Sequence, residues 1–456
     1  MKITKRTTAG GSLIGVFALS VALATPAYAA NELTGWALMP ANTFAPGPSS
    51  GQFTSTAFPV ANPLPLINKQ PVQGLSAVLR GPTADSYRVM PDNGFGAITN
   101  SADALLRMYA VAPRFKSFDG SAVIGSGTVD AVNFASGATL ASFDSSSFIN
   151  LRDPDHKLGF SLVADKANYP NGGNNIPVDS SIKSERLLTG SDFDIEAVRQ
   201  DKHGNLWFGD EFGPFLVKTD ASGKVLRQEI AMPGVQSPQN PFLGGGTPTL
   251  GRSSGFEGMA INPAGDKLYT LLEGTVAGDA PKSLRINEFD VEAETYTSVN
   301  FLYQLDAKGT NIGDMTAVDD HRFLVIERNN DTATIGTPFK KIFLADTTGV
   351  ANGGVVKKTE LVDLMNIADP HDLNGDGATT FTFPFVTIED VLLLDASTLL
   401  VINDNNYPGG GGRGAFADNT EFLRIGLAQP VPVPGGAALL APAMLALVRV
   451  TRRSRG

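Results

Sequence analysis

The chain has 456 residues, a formal net charge of −10 from 46 acidic and 36 basic side chains, 42% hydrophobic residues and no cysteine. The acidic balance excludes nucleic-acid binding through a basic face, and the lack of cysteine excludes disulfides, a thiol nucleophile and a lipid-modified cysteine. With 49 glycines and 29 prolines, the composition suits a turn-rich β fold.

Lys2, Lys5 and Arg6 precede an apolar run from Leu13 to Ala24, and Ala27-Tyr28-Ala29 puts small residues before a cleavage site at Ala30. Residues 1–29 read as a secretory signal peptide, the run being too short for a transmembrane helix. Export places the protein in the periplasm, at the cell surface or outside the cell. Residues 30–66, rich in Pro, Ser, Ala and Gly, read as a flexible N-terminal segment or as an edge wrapping the first blade. From Gln70 onward strand signals alternate with turn clusters. Asp103 to Phe118 is the best helix candidate, although Leu105 to Val111 reads equally well as a strand.

One pattern then recurs. An acid opens an apolar strand, a polar turn follows, and a second apolar strand ends in another acid. The copies open at Glu196, Glu257, Asp314 and Glu389 and close at Asp210-Glu211, Glu273, Glu327-Arg328 and Asp404. A weaker copy runs from Leu75 to Asp92. Repetition roughly every 60 to 75 residues is the mark of a β-propeller with long loops. The expected domain is an all-β propeller over residues 67–428, with six blades, give or take one, if an unmarked blade fills residues 120–165. The acids at equivalent strand ends would then gather at the central channel.

Two G-x-S-x-G segments, Gly47 to Gly51 and Gly251 to Gly255, lack the strand and helix that a nucleophile elbow needs and read as loops. Four scattered histidines argue against a histidine zinc site or a Ser-His-Asp triad. Asp372-Leu373-Asn374-Gly375-Asp376-Gly377 matches half of an EF-hand loop, but Phe383 stands where the bidentate Glu belongs. It reads as a partial calcium loop or an Asx-rich turn.

Carboxylates carry the expected chemistry. Clustered acids raise one another's pKa unless a cation neutralises them, and hard oxygen donors select Ca²⁺. The candidate metal ligands are Glu196, Asp210, Glu211, Glu257, Glu327 and Asp404, with Asp192 and Asp194 adding to the first cluster. Glu211 and Arg328 are the candidate catalytic residues, and Arg328 with Lys341 would bind an anionic substrate, Arg as a planar fork and Lys as a point charge. Lys340 reads as one of a surface pair.

At the C-terminus, Pro430-Val431-Pro432-Val433-Pro434-Gly435-Gly436 leads to an apolar stretch from Ala437 to Val448 and then to Arg449, Arg452, Arg453 and Arg455. Residues 429–456 resemble the bacterial PEP-CTERM sorting signals read by exosortases, except that no Glu separates the prolines. The resemblance implies sorting machinery as a partner. The other reading is a retained membrane anchor with a basic cytoplasmic end.

Gly190-Ser191-Asp192-Phe193-Asp194-Ile195-Glu196, Trp207 to Phe215 and Gly255-Phe256-Glu257-Gly258-Met259-Ala260 resemble the phytase-like family, labelled for esterase-like activity of phytase. Val325 to Asn329, Val401 to Tyr407 and Pro91 to Gly96 fit its other motifs, so the resemblance spans roughly residues 70–427. It implies a propeller related to calcium-dependent phytases and an ester or phosphoester substrate. One departure is Glu327-Arg328-Asn329, where relatives carry Glu-Arg-Asp. The alternative is a non-catalytic propeller, displayed at a surface or in a matrix, whose acids serve structure.

Overall fold

The computed structural model describes residues 30–54, 64–170, 175–413 and 417–433. The expected signal peptide and the apolar and basic parts of the tail lie outside the described residues. Within them the protein is almost wholly β, with one short α-helix, Ser180–Glu185, and one 3-10 turn, Val163–Asp165. No described helix is long and apolar enough to cross a membrane.

Five antiparallel sheets follow one another along the chain. The first contains Leu75–Arg80, Tyr87–Pro91 and Arg107–Arg114, with Thr128–Ala131 and Phe148–Asn150 both pairing to Arg107–Arg114. The second contains Ile195–Gln200, Leu206–Asp210, Phe215–Thr219 and Ile230–Ala231. The third contains Phe256–Ile261, Lys267–Leu272, Ser283–Asp290 and Thr295–Gln304, and the fourth Asn311–Ala317, Arg322–Arg328, Lys340–Asp346 and Lys357–Asp363. The fifth contains Asp390–Asp395, Thr398–Ile402 and Thr420–Gly426, and takes its outer strand, Glu32–Met39, from the other end of the chain.

Apolar side chains on both faces of these sheets form five clusters, one between each pair of neighbours. Val198 and Phe208 meet Met90 and Met108; Trp207 meets Phe256 and Phe289; Leu271 meets Met315 and Val325; Ile326 meets Val391 and Val401; and Leu400 and Phe422 close the circle against Leu75 and Val89. Sheets that each bury both faces against a neighbour, all the way round, make a propeller. Among the described residues there are five such units rather than six. The segment around 120–165 supplies outer strands and loops to the first sheet instead of a blade of its own.

Two further expectations change. Asp103 to Phe118 is not a helix: Arg107–Arg114 is a buried strand. The start of the N-terminal segment is not flexible, because Glu32–Met39 pairs along its length with Thr420–Gly426 and buries alternate residues Leu33, Gly35, Ala37 and Met39. Two of the buried positions are Gly and Ala, so the period-two signal of a strand is muted in the sequence.

The innermost strands of the five sheets line a central channel. Their first residues meet at one end, the mouth. Their last residues meet at the other, the floor, around a cavity of about 310 Å³ touched by all five strands.

Candidate metal centre at the mouth of the channel

The inner strands begin irregularly. Ladder register slips between Leu75 and Ala77, between Ile195 and Ala197, between Phe256 and Gly258, and between Ile312 and Met315. The bypassed residues include Ser76, Glu196, Glu257 and Gly313, and Glu389 immediately precedes the fifth ladder, which starts at Asp390. A bulge re-aims a side chain out of the pleat, here toward the mouth. At the ends of the partner strands, Asp92, Glu211 and Glu273 lie one residue past the ladder, Arg328 is the last paired residue of its strand, and Asp404 lies two residues past its ladder. The mouth is therefore two rings of equivalent positions. The first sheet has Ser76 in place of an acid on its inner strand, and the fourth sheet alone supplies no acid to either ring, with Gly313 on the inner strand and Arg328 on its partner. Gly313 also admits the neighbouring chain, since a Cβ there would lie 2.0 Å from the Ile388 carbonyl oxygen.

Arg328 divides the ring. Its Nη2 lies 3.0 Å from Glu389, 3.3 Å from Glu257 and 3.5 Å from Glu273. Burial opposes its charge, but these three carboxylates overcome that and raise its pKa. Ser76 Oγ donates to the other oxygen of Glu389 at 3.1 Å, and Asn311 Nδ2 donates to Glu273 at 2.7 Å.

Among the described residues, the other half of the ring has no basic partner. One oxygen each from Asp194, Glu196 and Glu211 lies within 4.8 Å of the others, and all three residues are buried. Asp194 Oδ1 and Glu211 Oε1 are enclosed and have no hydrogen-bond donor. Burial first, and then neighbouring carboxylates, drive Glu196 and Glu211 far above the ordinary carboxylate range. Burial likewise pushes Asp194 up to about 6. Asp404 is pushed up to about 7 by burial and by Asp92, and Glu389 to about 8 by burial and by Asp404. Enclosed carboxylate oxygens that repel one another and lack donors fit a hard divalent cation.

A second layer lies deeper in the channel. Arg199 reaches from the second sheet to Asp314 of the fourth at 2.7 Å and to the Met315 carbonyl at 2.8 Å. Asp390, close enough to Asp314 and Arg199 to interact with both charges, has neither oxygen hydrogen-bonded.

Of the residues singled out in the sequence, the structure brings Glu196, Glu211, Glu257, Asp404 and Arg328 to the mouth. Asp404 sits at the edge of the ring, accepting from Thr387 Oγ1 at 3.1 Å and from the Asn406 amide at 2.6 Å. Asp210 is not available as a ligand: its carboxylate accepts the amides of Asp194 at 2.9 Å and Gly213 at 2.7 Å, which shapes the turn carrying Glu211. Glu327 is also turned away. It accepts from Tyr303 Oη at 2.8 Å, and from the Asp306 amide and Lys358 Nζ at 2.5 Å. Glu327 and Arg328 are neighbours on a strand, so when one faces the channel the other cannot. Lys341 is off the site for the same reason, pairing with Glu360 at 2.6 Å on the outermost strand.

Lys340, by contrast, is fully buried opposite Arg328 in the ladder and donates to the Asn329 carbonyl and, at 3.0 Å, to the Val386 carbonyl. It is no surface lysine. Asn329 points into its own loop, with Nδ2 donating to the Thr337 carbonyl and to Asp331 at 3.0 Å and Oδ1 accepting the Phe339 amide at 2.9 Å. Asp192 serves the local backbone, accepting the Val163 and Thr189 amides at 2.8 Å. Asp372 to Gly377 is a turn anchored by the buried Leu373 and bonded within itself, with Asn374 bonded to Asp376 at 2.8 Å and Asp372 to the Gly377 amide at 3.0 Å. Both G-x-S-x-G segments lie outside any strand-to-helix turn. Glu273, Glu389 and Asp92, expected at the channel from their repeat positions but not named as ligands, also stand at the mouth.

The fold and the mouth define a β-propeller with a carboxylate-lined channel entrance. The chain belongs to the phytase-like family, "Phytase-like: Esterase-like activity of phytase", which it matches over residues 70–407. No curated protein matches it. Among solved structures it is similar to regucalcin, a calcium-binding protein from Agrobacterium tumefaciens, at 10% identity over 86% of this chain and 99% of that one, with a TM-score of 0.35. It is similar to luciferin-regenerating enzyme at 10% identity over 79% and 94%, with a TM-score of 0.35. It is similar to a GH43 β-1,3-galactosidase at 9% identity over 80% and 59%, with a TM-score of 0.40. These likenesses are too distant to carry an argument about its chemistry.

Proposed function

We propose that the protein is an exported ester or phosphoester hydrolase that works with a divalent cation, Ca²⁺ fitting best, held by Asp194, Glu196 and Glu211. The observation that carries this reading is the pair of enclosed, donorless oxygens on Asp194 and Glu211. A carboxylate cluster of this kind would repel a phosphate or carboxylate ester, and a bound cation supplies the positive charge that attracts the substrate and polarises its phosphoryl or carbonyl oxygen. In this reading Glu211 also accepts the proton, through the carboxylate oxygen that does not hold the cation. Arg328 orients the opposite half of the ring. To clamp an anionic substrate as well, it must yield its longest contact, the one to Glu273.

That engagement of Arg328 by three glutamates favours a second reading, in which the ring is structural and the propeller is displayed without catalysing. Assay of the purified protein on phosphomonoesters, phosphodiesters and acyl esters, with Ca²⁺ and with EGTA, separates the two. Hydrolysis of one class that depends on Ca²⁺ and disappears in Glu211→Gln supports the enzyme. Inactivity on all three under both conditions supports the structural reading.

A further inference from the structure

The two ends of the described chain meet on the floor of the propeller. Asn31 Oδ1 accepts the Ala428 amide at 2.9 Å, while its own Nδ2 donates to the Leu361 carbonyl at 2.8 Å. Past the last strand, the Leu427 amide bonds the Ser397 carbonyl at 2.8 Å and the Val431 amide bonds the Ala396 carbonyl at 2.7 Å. Both acceptors lie in the floor turn of the fifth sheet. Val431 is only 2% exposed, within the apolar cluster of the fourth and fifth sheets, and Val433 packs beside it and lines the floor cavity. The stretch that the sequence presents as a Pro-rich spacer is therefore part of the folded domain up to Val433. An enzyme cutting within it would first have to lift it off.

Beyond Val433 only Pro434, Gly435 and Gly436 precede the apolar residues 437–448 and the closing arginines. Four peptide steps from Val433 reach at most roughly 14 Å. The carboxylate ring lies at the far end of the inner strands, about 20 Å away for a six-residue strand.

We propose that the tail is a retained anchor and that the floor of the propeller faces a lipid bilayer, with the carboxylate ring turned away from it. The inference rests on reading residues 437–448 as membrane-binding, and it extends the proposed function by giving the site an outward orientation. The short tether fixes this orientation because it leaves too little chain to let the domain turn over. The basic end matches an anionic leaflet.

The absence of cysteine permits a direct test. Ala264 is exposed in the floor turn of the third sheet, and Ala307 is exposed at the mouth end, in the loop that enters the fourth sheet. Full-length Ala264→Cys and Ala307→Cys are each labelled with a donor dye and mixed with phosphatidylcholine–phosphatidylglycerol vesicles carrying a headgroup acceptor. Flotation of both with the vesicles, and stronger energy transfer from position 264 than from 307, is the expected result. Equal or reversed transfer in floating protein overturns the orientation. Failure of the full chain to float overturns the membrane premise, and the proposal with it. Neither outcome bears on catalysis, which is assayed separately.

Discussion

Arg328 and Glu389 meet at 3.0 Å across the interface of the fourth and fifth sheets, and both are almost fully buried. This pair joins two blades and also sets the charge of half the channel mouth. Arg328 occupies the position that other blades give to Glu211, Glu273, Asp404 and Asp92, and it neutralises three acids contributed by two other sheets, Glu257 and Glu273 from the third and Glu389 from the fifth.

Arg328→Gln should therefore destabilise the fold strongly. Breaking a buried ion pair by removing one partner costs about 3–5 kcal/mol, because the surviving charge is left uncompensated. Here three glutamates lose their cation. Urea unfolding of the variant should show this loss, and added Ca²⁺ should recover part of it as the freed carboxylates gain another counter-charge. A variant as stable as wild type would contradict the role assigned to Arg328.

Asn329→Asp puts an acid directly after Arg328 and should make the protein worse. The Asn329 side chain both donates and accepts within its loop, and Asp331 lies 3.0 Å from its nitrogen. A carboxylate there loses two donated bonds and faces a second acid. The expected cost is about 1–3 kcal/mol, with the Ca²⁺ response unchanged, measured by thermal melting with and without Ca²⁺. A gain in Ca²⁺ affinity would place Asn329 in the site after all.

The pH dependence of the metal-free protein follows from the ring. Asp404 and Glu389 are pushed up to about 7 and about 8, chiefly by burial. Between the ordinary carboxylate range and those values the folded chain keeps protons that the unfolded chain has released. This contribution to stability is complete at low pH and is lost as pH rises through the folded pKa. Lys340 has the opposite sign: burial lowers it to about 7, so above that pH its share of stability rises toward the ordinary lysine value. The melting temperature in EGTA should fall from about pH 5 to about pH 8. Ca²⁺ should raise it more at the upper end, where fewer protons compete. A Ca²⁺ shift larger at about pH 5 than at about pH 8 would contradict a carboxylate site.

Much of this was legible in the sequence, and the exceptions have physical causes. Glu196, Glu211 and Glu257 were visible because a supersecondary unit repeats and its acids repeat with it. The choice between Glu327 and Arg328 was a question of face. Adjacent strand residues point to opposite sides, and the ladder, which pairs Ile312 with Glu327 and Asn311 with Arg328, leaves only one of the two facing the channel. Asp210 and Glu211 posed the same question, and there the outer acid belongs to the backbone. The aligned repeats already placed Glu273 and Glu389 among the acids expected at the channel, and the same alignment puts Arg328 at the position matching Glu211 and Glu273. The closing strand Glu32–Met39 was hidden because small residues fill two of its buried positions, and its partner lies at the far end of the chain. The expected sixth blade arose from a long gap that the first sheet fills with outer strands and loops.

The central claim is that the half-ring of Asp194, Glu196 and Glu211 binds a divalent cation. Its most direct test is calorimetric titration of Ca²⁺ into the EGTA-stripped protein, into Glu211→Gln, and into Glu327→Gln as a control whose carboxylate lies off the ring. If the site has the dissociation constant common for extracellular calcium modules, on the order of 10⁻⁴–10⁻³ M, about 10 mM Ca²⁺ should also stabilise the fold by about 1.4–2.7 kcal/mol. The account predicts saturable binding to wild type and to Glu327→Gln, and loss of binding in Glu211→Gln with an unchanged circular dichroism spectrum. Binding that survives Glu211→Gln, or a wild-type protein that binds no Ca²⁺ at millimolar concentrations, would contradict it.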